Sequence, residues 1–152
     1  MIALPVVRRF RRDLVLALGG ILLFFLVLTR YLAIPWVVAG SSMEPTLLAG
    51  DRVVVDLWTY GYRAPRQGEV VLVAGPGGIP LVKRVAAGPL RPEEVPTGSP
   101  FLGDGKGRWF MVRGDNEIVS TDSRHFGPVP GQRFRGRLLW RYWPPGRMGR
   151  IR

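Results

Sequence analysis

The chain has 152 residues, a formal net charge of +11 and no cysteine, which gives room for one small domain and one apolar segment. The missing cysteine excludes disulfides, a thiol nucleophile and thiolate metal sites, and no metal or cofactor is expected. The charge divides into +4 over residues 1–39 and +7 over residues 40–152. Such a surface suits nucleic acid or anionic lipid; beside an apolar segment the lipid bilayer is the expected partner, and nucleic acid is not.

Residues 1–13 form a basic N-terminus carrying Arg8, Arg9, Arg11 and Arg12. From Leu14 to Leu28 there is no charge. At about 1.5 Å per residue this run alone falls short of a hydrocarbon core of about 30 Å. Snorkelling of Arg12 and Arg30, or the apolar stretch from Tyr31 to Val38, supplies the difference. Residues 14–34 are therefore expected to be a transmembrane anchor. A buried core helix and a cleavable signal peptide are the competing readings. Val37 and Ala39 fit a small-residue cleavage rule, but Arg30, Pro35 and Trp36 make a long and bulky approach to it. The arginines before Leu14 put the N-terminus in the cytoplasm and the rest outside.

Ile34, Trp36 and the valines after it suggest a first strand, followed by G-S-S-M-E-P-T-L-L-A-G-D from Gly40 to Asp51. Two hydroxyls between a glycine and a proline suit the display of a nucleophile, and equally an ordinary loop. Beyond Gly50, short β-type runs alternate with Gly and Pro. Strands are expected over Arg52 to Trp58, Glu69 to Ala74, Leu81 to Ala87, Arg108 to Arg113 and Arg133 to Trp143. The G-P-G-G turn at Gly75 to Gly78 predicts a hairpin of the second and third. Residues 88–107 read as a loop, and residues 144–152 as an irregular basic tail. The fold class is all-β, mostly antiparallel, with one N-terminal transmembrane helix; residues 35–143 form the β-domain.

Only Lys83 and Lys106 are lysines, in a chain that otherwise uses arginine. Strand alternation gives Lys83 the apolar neighbours Leu81 and Val85 on its own face, an environment that lowers an amine pKa. Arginine there could not lose its proton. The one histidine, His125, sits in S-R-H-F-G and reads as structural.

S-M-E-P-T-L, G-D-R-V-V-V-D, L-V-K-R-V and R-G-D-N-E-I-V-S-T-D-S-R-H-F-G occur in that order. Together, over roughly residues 36 to 143, they resemble the type I signal peptidases, membrane-bound Ser/Lys proteases that remove signal peptides from exported proteins. The resemblance implies Ser42 as nucleophile and Lys83 as general base. Ser120 would orient the lysine, Asp122 and Arg124 would form an ion pair, and Gly114 and Asp115 would open the same box. It implies a coiled β-fold resting on the outer face of the cytoplasmic membrane, single-pass, without a large accessory insert. Val38, Met43, Leu47, Val53, Leu81 and Val82 would line shallow pockets for small residues at −1 and −3 of the signal peptide. Gly40 departs from the many relatives with Ser at that position, so the oxyanion would rest on the Ser42 backbone N–H. Two other functions stay open: a Ser/Lys processor of one pilin or conjugation substrate, and a non-enzymatic anchored basic binding module.

Overall fold

The computed structural model describes residues 3–31, 33–101 and 107–152, with the backbone alone at 3–8, 28–31 and 92. A long helix, α1 (Ala3–Tyr31), leads into β1 (Ala33–Val37). After the Gly40 to Asp51 loop come β2 (Arg52–Asp56), the one-turn α2 (Thr59–Tyr62), β3 (Val70–Ala74) and β4 (Pro80–Leu90). The chain ends with β5 (Trp109–Arg113), the one-turn α3 (Ser123–Phe126), β6 (Val129–Pro130), β7 (Phe134–Trp143) and β8 (Gly149–Arg150).

The strands make one antiparallel sheet in the order β1-β2-β7-β3-β4-β5-β6, with β8 on β7. The expected all-β class holds. So does the hairpin of β3 and β4, registered Val70↔Arg84 to Ala74↔Pro80 around a tight turn at Pro76–Gly78. Strand β2 stops earlier than expected for a chemical reason. The Asp56 carboxylate accepts the Trp58 N–H at 2.8 Å and the Thr59 N–H at 3.1 Å, folding the chain into α2. Strand β4 runs longer, because its first half pairs with β3 and its second half with β5. At Gly88 the backbone takes φ +134°, and a Cβ would strike the Phe110 ring.

Strand β3 is buried along its whole length, and its alternating residues feed two cores. Val71 and Val73 join Val85, Phe110 and Val112 on one side; Val70 and Leu72 join Val53, Val55 and Leu138 on the other. The tail is not irregular. Gly149–Arg150 pairs with Trp140 and Arg141, and Ile151 is buried with its N–H donating to the Leu139 carbonyl at 3.0 Å.

Helix α1 turns Leu16, Leu18, Leu22, Phe24 and Phe25 outward, each more than half exposed. Among the described residues no helix is long and apolar enough to cross a membrane. The described side chains without charge end at Val27; those of Arg8 and Arg30, and residue Lys106, lie outside the described residues.

Candidate active site

The loop after β1 is closed by Val38 N–H to Asp51 O at 2.9 Å and Gly50 N–H to Val38 O at 2.8 Å. Gly50 adopts φ +89° to make this turn. Met43 and Leu47 are driven into the core, which anchors the loop on either side of Pro45. Ser42, one residue before Met43, is thereby held at the surface of a cleft.

Asp51 is 2% exposed and pins the rest of the loop. Its Oδ2 accepts the Leu48 N–H at 2.9 Å and Arg141 Nη1 at 3.2 Å, and its Oδ1 accepts Arg147 Nη1 at 3.1 Å. Arg141 also donates to the Thr46 carbonyl at 2.9 Å, and Arg147 reaches the Pro45 carbonyl at 3.4 Å.

Lys83 is 2% exposed on β4. Its Nζ donates to Ser120 Oγ at 3.0 Å, and Ser120 Oγ donates to Asp122 Oδ2 at 2.7 Å. Asp122, fully buried, also accepts the Gly114 N–H, the Arg124 N–H and the Arg124 guanidinium, all between 2.9 and 3.1 Å. Burial lowers the Lys83 pKa, with Asp122 opposing and Arg124 adding to the shift. Burial alone would raise the Asp122 carboxyl, but hydrogen bonds from Arg124, the Gly114 N–H and Ser120 hold it far below the usual carboxylate range. The lysine thus faces an ionised carboxylate through one intervening hydroxyl.

Ser42 and Lys83 line the same cleft of about 150 Å³, together with Trp36, Val38, Ala39, Gly40, Met43, Pro80, Leu81 and Val82. Among the described residues no hydrogen bond joins Ser42 to Lys83; the amine is held by Ser120 instead. Of the expected pocket residues, Val38, Met43, Leu81 and Val82 face the cleft. Leu47 and Val53 do not: both are fully buried in the core behind it. A Cβ on Gly40 would meet nothing within 4 Å, so the glycine leaves open space beside Ser42.

Gly114, Arg84, Asp115 and Thr46 join the elements of the site. Gly114 lies so close to its neighbours that a Cβ would overlap both Ser120 Oγ and the Ser42 carbonyl oxygen. Arg84 grips Asp115 with two bonds at 2.8 and 2.6 Å and reaches Thr46 Oγ1 at 3.3 Å. The Lys83 strand, the Ser42 loop and the Gly114 box are thereby tied together. Trp36 and Pro80 also line the cleft, and sequence reasoning passed over them as linings. Their signal was parity: Trp36 shares a face with Val38, and Pro80 shares one with Val82. His125 caps α3, its Nδ1 accepting the Asp122 N–H at 3.3 Å, a structural role as expected.

A hydroxyl and a desolvated amine lining one small cleft on a β-scaffold are the equipment of a hydrolase that works through a nucleophile and a base. The chain belongs to the signal peptidase family, peptidase S26, whose model matches residues 11–96. It is 36% identical over 137 residues to the mitochondrial ATP-independent inner membrane protease subunit 1a of Arabidopsis thaliana, covering 83% of this chain and 80% of that one. It is 29% identical over 169 residues to signal peptidase I of Leptolyngbya laminosa, covering 91% and 79%. Against the chloroplastic thylakoidal processing peptidase 1 of Arabidopsis thaliana the identity is 29% over 150 residues, and the chain spans only 44% of that protein's length. This chain is a serine peptidase of the signal peptidase type.

Proposed function

We propose that this peptidase removes signal peptides with small residues at −1 and −3, using Ser42 as nucleophile and Lys83 as general base. The observation that carries the reading is Lys83 itself: buried, with a lowered pKa, and lining one cleft with Ser42. Neutral Lys83 takes the Ser42 proton as Oγ attacks the carbonyl carbon of residue −1. The oxyanion is met by the Ser42 backbone N–H, since Gly40 offers no hydroxyl. Protonated Lys83 then gives its proton to the leaving amine, and the acyl-enzyme is released by a water that Lys83 deprotonates. Ser120 positions the amine for both transfers, and the Asp122–Arg124 pair holds Ser120.

The edge of Pro80–Lys83 turned away from β3 carries no strand among the described residues, because β5 joins β4 only from Arg84 onward. An extended substrate segment fits there as an added strand. Side chains −1 and −3 then fall on one face, towards Val38, Met43 and Val82, where small depth admits alanine and rejects bulk. An inert binding module would have no use for a buried lysine, which supports the enzyme over that alternative.

Helix α1 is read as the seat in the bilayer, with residues 1–13 cytoplasmic, residues 14–34 the anchor and the β-domain outside. Its outward leucines and phenylalanines favour lipid over water. The decisive assay is cleavage of a preprotein carrying an Ala-x-Ala site. Ser42→Ala and Lys83→Met should each lower kcat by at least about 10³-fold while the fold persists, without additive loss in the double variant. A Lys83→Met protein of full activity, or a His125→Ala protein without any, would sink the Ser42–Lys83 assignment.

A further inference from the structure

A cavity of about 410 Å³ lies apart from the cleft of Ser42 and shares no residue with it; Tyr60, Tyr62, Arg63, Arg108, Phe110 and Gln132 are among its walls. Strand pairing fixes its place. Ala33, two residues after α1 ends, pairs with Asp56 at the last position of β2, and Asp56 pairs in turn with Arg137 of β7. The chain just after Asp56 forms α2, and the chain just before β7 supplies Gln132. The cavity therefore stands at the end of the sheet where α1 arrives. The Ser42 loop leaves β1 at the opposite end, a rise of about 13 Å along the strand.

The walls suit an anion. Among the described residues no carboxylate lines the cavity, and no hydrogen bond or ion pair engages the exposed side chain of Arg108. Behind Arg63, the one carboxylate of Glu69 is shared with Arg137, at 2.6 and 3.5 Å, so this wall keeps a net positive charge. Trp58 and Tyr62, four apart across the turn of α2, share a face and are 62% and 66% exposed. Exposed aromatic rings with arginines beside them suit the boundary between membrane and water. We propose that the cavity binds the headgroup of an anionic phospholipid, with Arg108 on the phosphate and Tyr62 and Gln132 on the headgroup hydroxyls. The proposal rests on the reading of α1 as the seat in the bilayer. A lipid fits better than a soluble phosphate, because the cavity stands at the level where α1 ends and because Trp58 and Tyr62 offer rings that a free anion would not use. The bound lipid holds the α2 end of the sheet among the headgroups and so sets the height of the Ser42 cleft above them.

The test is amide hydrogen exchange of the full-length protein in lipid discs, of phosphatidylcholine alone or of an equal mixture with phosphatidylglycerol. The mixture should slow exchange over residues 60–63, 107–108 and 131–132 by about fivefold. Arg108→Gln, at an exposed position where folding is not at risk, should cancel the slowing. Arg150→Gln removes the same charge from β8 and should leave it unchanged. Soluble glycerol phosphate added to phosphatidylcholine discs should not reproduce it. Equal exchange in both kinds of disc, with α1 protected in both, would overturn the headgroup site and leave the anchor standing. Equal loss of the slowing in the two variants would replace the site by diffuse attraction of net charge. Slowing by soluble glycerol phosphate would make the ligand a free anion, against the proposal. An unprotected α1 would remove the anchor, and the headgroup site with it.

Discussion

Lys83 is buried next to Ser120, among the described residues no carboxylate touches its Nζ, and burial disfavours its charged form. The unfolded chain holds this proton up to about pH 10.4, whereas the native one releases it earlier. Between those two pKa values the unfolded state binds more protons, so stability rises with pH in that window; below it the penalty is present in full. Lys83→Met keeps the length and removes the penalty, and Ser120 retains Asp122 as its acceptor. In a Ser42→Ala background, which prevents self-digestion, Lys83→Met should therefore melt higher than its parent near pH 7. The gain should shrink towards pH 10. A lower melting point at pH 7, or a gain that ignores pH, would identify a solvated lysine. The sequence pointed to Ser42 only through the resemblance carried by S-M-E-P-T-L, since a Ser/Pro/Gly loop alone suits an ordinary turn equally, whereas Lys83 stood out by its rarity and its parity on a strand. The contact of Gly114 with Ser42 was not legible, because it joins positions 72 residues apart in the chain that no local pattern relates.

The loop from Gly40 to Asp51 owes its shape to the far end of the chain. Arg141 on β7 and Arg147 beyond it converge on Asp51 and on the carbonyls of Pro45 and Thr46. Two prolines, three arginines and no apolar period made residues 144–152 read as irregular. Order there comes from partners nearly a hundred residues upstream, and from pairing with a strand whose own edge is formed elsewhere. Arg147→Ala leaves the buried Asp51 carboxylate with Arg141 and the Leu48 N–H alone. Because Arg147 is partly exposed, the cost should be about 1–3 kcal/mol, read from denaturant unfolding. Activity should fall mainly in kcat, since the cleft walls Val38, Leu81 and Val82 stay in place while Ser42 loses its bearing. Arg147→Lys should recover part of the stability. A loss confined to KM would mean that the tail serves the substrate and not the loop.

Two cores on opposite faces of one sheet account for the β-domain, and among the described residues neither includes a side chain of α1. Among the described residues nothing covers the outward Leu16, Leu22, Phe24 and Phe25, and water is a poor solvent for them. Four arginines precede this surface within residues 1–13, against the single Asp13. Basic residues flanking an apolar helix stay on the cytoplasmic side, so the helix should enter the bilayer from within and deliver β1 to the outer surface. Strand β1 begins at Ala33, two residues after α1 ends, so with α1 in the bilayer as proposed the sheet should lie close to the lipid. Trp140 and Trp143 on β7 are about half exposed, as rings at a membrane–water boundary would be. Protease added to spheroplasts should therefore digest the β-domain, and inside-out vesicles should protect it. Replacing Arg8, Arg9, Arg11 and Arg12 by Gln removes the orienting charge and should give a mixed population in the same assay. Digestion in inside-out vesicles but not in spheroplasts would reverse the topology and remove Ser42 from the side on which exported preproteins emerge.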